Sequence, residues 1–267
     1  MIAVSIRGIG FCAPGLDDWP AARSVLAGTA AYAGGRFDPP APDALPSAER
    51  RRASVSVRLA IAVAQQAVAQ AGVDPRTLAS VFVSTDCDGD ILHHICQALA
   101  SPHPEISPTR FHNSVHNAAS GYWTIAVQSR APANMVTGTD EVFGAGLLEA
   151  AVQANVEARS VLLVAYDVPM PPPLLAMHPI AAAGGLALAL APEEGERDIA
   201  RLRLEIVTGA AAADSKMPDR RLEALRLANP AGRALPLLTS VARRESRDVL
   251  LGLNAENALR IQIDAAR

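Results

Sequence analysis

Charge is scarce in this sequence, and it is nearly balanced. Charged residues make up only 19% of the chain, and the formal net charge is -3 at pH 7. Lys216 is the only lysine, so almost all positive charge is carried by arginine. Binding to a nucleic-acid backbone needs a basic field that this balance does not provide, so we expect no nucleic-acid partner.

Cysteine is also scarce. Cys12, Cys87 and Cys96 are odd in number and widely spaced, and they contain no CxxC pair. A disulfide framework is therefore not expected, and the set suits a reducing cytoplasm. Apart from His93 and His94, no neighbouring group would stabilise a thiolate, so we expect Cys87 and Cys96 to be buried and unreactive.

Long apolar runs are missing as well. Arg7 interrupts the first apolar residues, and the apolar run at 180–191 is far shorter than the ~20 residues that a membrane-spanning helix needs. We therefore expect a soluble, cytoplasmic protein with no membrane span and no secretion signal. Hydrophobic residues still make up 50% of the 267 residues, which is enough to fill a substantial core.

Hydrophobic patterns predict strands interleaved with helices. Strands are predicted at residues 3–11, 78–84, 161–167, 185–191 and 201–208, with two more in DVLLGLN and ALRIQI near the end. Helices are predicted at 19–26, from 47 continuously to 72, and at 91–100, 142–156 and 236–243. This alternation favours an α/β layered fold.

The densest polar cluster is FHNSVHNAASGYW at 111–123. His112 and His116 are four residues apart, a spacing that puts two imidazoles on one face of a helix and suggests a metal module with Cys96. The stretch follows several prolines and contains asparagine and serine residues that favour turns. No acidic third ligand stands at a helical offset, so we expect no metal here and keep the module as an alternative.

A second polar cluster is formed by Asp86, Asp88 and Asp90. Aspartates at alternate positions are typical of the opening of a calcium loop. Ile91 and Leu92 replace the later oxygen ligands, however, and no glutamate occupies the twelfth position. We expect a structural role instead, with Asp90 capping the helix that follows.

A nucleophile and a base also occur close together in the first cluster. Ser120 lies four residues after His116. The surrounding residues do not form the G-x-S-x-G elbow of many hydrolases. A self-sufficient acyltransferase or hydrolase that uses Ser120 and His116 therefore stays open as the alternative function.

Several segments resemble a known family. VSIRGIGFCAPG at 4–15, followed by Trp19 and LAG at 26–28, resembles the start of the β-ketoacyl synthases, the condensing enzymes of fatty-acid and polyketide assembly. RLAIAVAQQAVAQAGVDP at 58–75 is similar to their first long helix. SPTRFHNSVHNAASGYWTIA at 107–126 and VLLVAYDVPMPPPL at 161–174 are similar to distinctive segments of the chain-length-factor-like homologues in aryl polyene pigment clusters. The resemblance covers about residues 1–192.

This resemblance implies a fold and a degenerate second half. The fold would be a truncated thiolase-like, layered α/β/α fold with a mixed sheet, forming a single domain over 1–267. Its first half, 1–192, would be complete, and 193–267 would be a much reduced second half. Active members take two histidines, or His and Asn, from that second half, whereas the last histidine here is His178.

The resemblance also implies a missing nucleophile. In an active condensing enzyme the cysteine follows a Thr-Ala or Asn-Ala pair, but here Asn117-Ala118 is followed by Ala119. The implied function is a noncatalytic subunit that pairs with a catalytic ketosynthase in a heterodimer for polyene chain elongation. The pair would condense malonyl units on an acyl carrier protein, which it meets through the complex, and no cofactor is implied.

The implied site residues fall into two groups. The interface or acyl tunnel would contain Ile91, Ile95, Phe111, Ala119, Tyr122 and Trp123. Hydrogen bonds to backbone groups would support the degenerate site through His112, Asn113, His116, Asn117 and Ser120.

Overall fold

The computed structural model describes residues 1–38, 41–86, 88–209 and 214–265. In this part of the chain eight strands form one mixed sheet: β1 (Ile2–Cys12), β2 (Ala79–Val83), β3 (Ala133–Val136), β4 (Val161–Asp167), β5 (Gly184–Ala191), β6 (Ala200–Thr208), β7 (Arg247–Gly252) and β8 (Asn257–Ala265). The strand order is β3-β2-β4-β5-β1-β6-β8-β7. β2 runs parallel to β3 and β4, and all other neighbours are antiparallel.

Helices cover both faces of this sheet. They are α1 (Trp19–Leu26), α2 (Ser47–Arg52), α3 (Val55–Ala71), α4 (Gly89–Leu99), α5 (Pro108–Asn113), α6 (Ala118–Val127), α7 (Val142–Val156), α8 (Arg220–Leu227) and α9 (Leu235–Arg243). α3 and α6 pack on one face, and α1, α7 and α9 pack on the other. The expected layered α/β/α fold with a mixed sheet is confirmed. Within the described residues, no helix is both long and apolar enough to span a bilayer.

The strand β4 contributes side chains to the hydrophobic cores on both faces of the sheet. All seven of its residues are buried. Successive side chains of a strand point to opposite faces, so Leu162 and Val164 join the core under α3 and α6, whereas Val161 and Leu163 join the core under α7. A continuous apolar run is therefore required here, because neither face of this strand meets water.

Two glycines allow α3 to lie directly on β1. A Cβ atom at Gly8 would stand 2.0 Å from the carbonyl oxygen of Ala67, and one at Gly10 would stand 1.9 Å from that of Val63. Any side chain at either position would push the helix off the strand. The glycines of the opening segment therefore fix the distance between sheet and helix.

One predicted helix is in fact two. The continuous helix expected over 47–72 is interrupted at Ala53, whose backbone is extended. Ser54 then caps α3, since its side chain accepts a hydrogen bond from the Val57 backbone N–H. Gly72 ends α3 in the left-handed conformation, as expected for a glycine at a helix C-terminus.

Four of the helices and strands were not predicted: β3, α5, α6 and α8. β3 has only four residues, and half of them are exposed, so it carries too little hydrophobic pattern to be recognised. α8 reads RRLEALRL and is dominated by charge, but Asp219 caps it by accepting from the backbone N–H groups of Arg221 and Leu222. The aspartate before Leu222 and Leu225 was the available signal for this helix.

Candidate functional site

The polar cluster at 111–123 forms one side of an apolar cleft. Ser107 caps α5 and Pro108 starts it, so the prolines before the cluster begin a helix rather than only an irregular segment. α5 ends at Asn113, and α6 begins at Ala118 after a turn. The cleft has a volume of about 460 Å³ and is lined by Glu49, Pro108, Phe111, His112, Val115, Asn117, Ala118, Gly121, Tyr122 and Ile125.

This cleft gathers only part of the predicted tunnel set. Phe111 and Tyr122 line it, whereas Ala119 and Trp123 are only 1% and 2% exposed and pack into the core shared with α3. Ile91 and Ile95 lie on α4 and do not line the cleft. The neighbour of Ala119, Ala118, is the alanine that faces the cavity.

Asn113 is the structural centre of the cluster. It is 4% exposed, and its Nδ2 donates to the carbonyl oxygen of Arg52 at 3.0 Å. Its Oδ1 accepts from the Tyr122 hydroxyl at 3.1 Å. Burial raises the pKa of Tyr122, so this phenol stays a donor at neutral pH. Asn113 thus joins α2, α5 and α6, and these contacts hold the wall of the cleft rather than the turn at Ala119.

The remaining polar residues of the cluster surround the start of α6. Asn117 occupies the N-cap of α6 and, within the described residues, its side chain makes no capping hydrogen bond. The hydroxyl of Ser120 instead donates to the carbonyl oxygen of Asn117 at 3.0 Å, and Ser120 is 4% exposed. A hydroxyl that is buried and bonded to its own helix end is poorly placed to attack a substrate, which weighs against Ser120 with His116 as a catalytic pair.

The histidine spacing does not create a metal site. His112 belongs to α5, whereas His116 lies in the turn after the helix has ended, so the two imidazoles do not share a helix face. Across residues 1–38, 41–86, 88–209 and 214–265, no three His, Cys, Asp or Glu side chains are placed to hold a metal ion. A zinc module of His112, His116 and Cys96 is not supported.

The three aspartates also separate. Asp88, not Asp90, caps α4: its Oδ1 accepts from the Ile91 N–H at 3.0 Å, and its Oδ2 accepts from the Ser56 hydroxyl at 2.6 Å. Asp90 lies in the first helical turn. Asp86 points elsewhere, to His178. The expectation that Asp90 is the cap is wrong because the helix begins two residues earlier than predicted, at Gly89.

The cysteines differ sharply in exposure. Cys96 lies on α4 and is exposed, so the expectation that it is buried is wrong. Cys12 is buried, and burial, reinforced by Asp17 and Asp18, raises its pKa to about 12. Cys87 lies outside the described residues.

These environments predict selective alkylation. With a limiting maleimide reagent at pH 7.5, we expect Cys96 to be modified and Cys12 to stay unmodified in the folded chain, because only thiolates react and Cys12 is both buried and protonated. Peptide mass spectrometry would locate the adduct, and labelling in urea should expose Cys12. Modification of Cys12 in the folded chain at a rate comparable to that of Cys96 would contradict this assignment.

A second pocket lies where the parallel strands end. Its volume is about 300 Å³, and its lining comes from the ends of β2 and β3 and from the connection between β4 and β5: Thr85, Thr139, Asp140, Glu141, Met177, His178, Pro179 and Ile180. The carboxyl ends of parallel strands are the usual place for sites in α/β sheets. The sequence analysis considered Asp86 only as part of an aspartate cluster and missed this pocket. Polar residues at or just after the ends of predicted strands, such as Asp86 and Asp167, were the available signal.

Two carboxylates shape this second pocket. His178 and Asp86 are joined by a hydrogen bond of 2.6 Å between Nδ1 and Oδ2. Asp167 is fully buried at the end of β4, and its Oδ1 accepts from the Ser84 hydroxyl and from the N–H and hydroxyl of Thr85. Burial raises the pKa of Asp167 to about 7, although these three hydrogen bonds act in the opposite direction.

The two pockets share a chemical composition. Each is lined by one histidine, His112 or His178, and by at least one carboxylate. Among the described residues that line them, neither serine nor cysteine occurs. Acyl transfer through a covalent intermediate needs a nucleophile beside its base. The hydroxyls that line the pockets, on Thr85, Thr139 and Tyr122, donate to Asp167, Glu141 and Asn113, so none of them donates to either histidine.

Comparison with known proteins identifies the family to which this chain belongs. The family model described as the β-ketoacyl synthase N-terminal domain matches residues 27–240. The chain belongs to this family. Among the curated proteins that were compared with it, none matches.

Solved structures of ketosynthase complexes have this fold. A ketosynthase (ApeO) in complex with its chain length factor (ApeC), from Xenorhabdus doucetiae, matches with a TM-score of 0.72 at 20% identity, over 98% of this chain and 100% of that one. The ishigamide ketosynthase/chain length factor matches with a TM-score of 0.74 at 12% identity, over 99% and 100%. A type II polyketide synthase acyl-carrier protein in complex with its ketosynthase matches with a TM-score of 0.72 at 14% identity, over 99% of both chains.

Proposed function

We propose that this β-ketoacyl synthase family member is a noncatalytic, chain-length-factor-like subunit that pairs with a catalytic ketosynthase. The pair would elongate an aryl polyene chain on an acyl carrier protein, and the catalytic subunit would supply the nucleophile and its histidines. The observation that carries the proposal is the composition of the two pockets, which hold a base and no serine or cysteine among their described lining residues. Ala119 at the start of α6 would be the vestige of the reactive position.

A surface formed by α4, α5 and α6 is the region we assign to the partner. Large hydrophobic side chains on it are unusually exposed: Leu92 46%, Leu99 59%, Phe111 64%, Val115 49% and Ile125 52%. We call these five residues the α4–α6 surface. Three of them, Phe111, Val115 and Ile125, line one cleft, and exposed apolar side chains gathered in this way are typical of a protein interface. The edge strand β3 ends the sheet near α6 and offers further unpaired backbone groups.

The cleft in the α4–α6 surface suits an acyl chain or a partner side chain. Phe111, Val115 and Ile125 form its apolar walls, and Asn113 holds Tyr122 in place behind them. A rigid apolar wall contributed by a second subunit would limit how far a growing chain extends. Phe111 and Tyr122 are therefore the residues we assign to length control, and Asn113 is their positioning residue.

The alternative of a self-sufficient acyltransferase has less support. It requires the Ser120 hydroxyl to reach a substrate, but this hydroxyl is buried and donates to the Asn117 carbonyl. Neither Ser120 nor His116 lines the cleft.

Co-expression with the ketosynthase encoded beside it tests the proposal. We expect the two chains to co-purify, and we expect malonyl condensation only when both are present, with a loss of at least about 10³-fold when the ketosynthase is omitted, because covalent catalysis would be absent. A ketosynthase with its nucleophilic cysteine replaced by alanine is the control, since it should form the complex and remain inactive. Condensation by the isolated chain, or a covalent acyl adduct on it, would overturn the proposal.

A further inference from the structure

A groove far from both pockets carries two unpaired arginines. It lies between α1 and α9 and consists of adjoining cavities of about 240 and 390 Å³ that share Trp19, Arg23 and Gln70. Arg244 lines the smaller cavity. Among the described residues, neither the Arg23 nor the Arg244 guanidinium has a hydrogen-bond or ion-pair partner.

The acidic residue that lines the groove is already paired. Asp198 lines the same cavity, but its carboxylate accepts from Arg7 Nε at 3.1 Å, from the Ser5 hydroxyl at 2.5 Å and from the Gly195 N–H at 3.0 Å. The groove therefore keeps an excess of positive charge. This excess stands out in a chain whose formal net charge is -3.

Gln70 adds a fixed donor to the groove. Its Oε1 accepts from the Ile9 backbone N–H at 2.7 Å, which leaves the amide nitrogen as the end that can bind a ligand. The groove thus presents two guanidiniums and an amide N–H₂, all of which are donors.

Arg244 is one of three described non-glycine residues with a positive φ, the others being Gln128 and Ala158. Arg244 ends α9 with φ 55 and ψ 41, the left-handed conformation in which glycine is usual. The neighbouring Arg243 has a structural role, because its Nε donates to the Leu26 carbonyl at the C-terminal end of α1. Arg244 has no such role, because its side chain donates to no carbonyl among the described residues.

We propose that this groove binds a phosphate group, as a phosphate monoester or as inorganic phosphate. Several acceptor oxygens and a double negative charge match two guanidiniums and an amide, and the planar arginine fork suits phosphate oxygens. The site is independent of the proposed pairing with a ketosynthase, because it does not involve the α4–α6 surface.

Titration of the full chain with inorganic phosphate tests the site. At constant ionic strength, calorimetry should show saturable binding with one site per chain, and acetate should bind at least tenfold more weakly. Arg23→Gln and Arg244→Gly should each weaken phosphate binding at least tenfold. Arg247→Gln, at an exposed arginine outside the groove, should leave it unchanged.

Arg244→Gly also separates a binding role from a structural one. Glycine adopts the left-handed conformation without a Cβ penalty, so this variant should raise the thermal unfolding midpoint by roughly 2 °C while losing phosphate. Non-saturable binding, acetate affinity equal to that for phosphate, or an equal loss in Arg247→Gln would overturn the proposal. A drop in the unfolding midpoint of Arg244→Gly would assign this arginine to stability instead.

Discussion

The Phe111→Asp variant should lose its ketosynthase partner and keep its own fold. Phe111 is 64% exposed at the edge of the cleft, so the isolated chain gains little from this side chain. In a complex the ring would be buried at the centre of the α4–α6 surface, where an aromatic residue typically contributes ~2–4 kcal/mol. A carboxylate there would also have to be desolvated, so we expect the dissociation constant to rise about 30- to 1,000-fold.

The measurement is co-purification followed by titration of the two subunits. Val156→Asp is the matched control, because Val156 is 79% exposed at the end of α7, on the opposite side of the sheet. It adds the same charge at an exposed apolar residue, and it should leave pairing unchanged. Cys96 provides a second readout, since partner binding over α4 should slow its alkylation in the wild-type chain. If Phe111→Asp pairs as tightly as the control variant, the α4–α6 surface is not the interface.

The elements with a strong hydrophobic pattern could be predicted closely from the sequence. The bounds of α1 match the predicted 19–26, because Asp18 caps its start and Gly28 follows its end, and the bounds of α7 match the predicted 142–156. β4 was predictable as a strand covered on both faces. The pattern failed where the signal is short or charged, at β3 and α8. It also failed at α5 and α6, which lie among prolines and turn-forming residues, and at Ser54, which caps a new helix inside the stretch predicted as one helix.

Whether a candidate site could be predicted depends on how far apart its residues lie in the sequence. The cleft at α5 and α6 was predictable in part, because Phe111, His112, Asn117 and Tyr122 lie within twelve residues of one another. The strand-end pocket was not, because Asp86 and His178 are 92 positions apart in the sequence and meet only through the sheet order. The orientation of Ala119 toward the core also depends on how α6 packs against α3, which the periodicity of a ten-residue helix does not determine.

The stability of the wild-type chain should fall as the pH rises from about 4 to 7, and Asp167→Asn should remove much of this fall. In the folded chain the pKa of Asp167 is raised from 3.8 to about 7, chiefly by burial. The unfolded chain therefore releases this proton near pH 4, whereas the folded chain keeps it until about pH 7. Within that window the unfolded state binds fewer protons, so the free energy of unfolding decreases, by an amount on the order of 2–4 kcal/mol.

Asparagine at position 167 tests this because it keeps the shape and never ionises. Its Oδ1 can still accept from the Ser84 hydroxyl and the Thr85 N–H, so the packing at the end of β4 is preserved. Urea unfolding at pH 5 and pH 8 should show that the variant loses less stability than the wild type over this interval. Asp43→Asn, at an exposed aspartate, should keep the wild-type dependence. If Asp167→Asn loses as much stability between pH 5 and 8 as the wild type, Asp167 is already ionised in the folded chain, and its burial must be offset by the hydrogen bonds from Ser84 and Thr85.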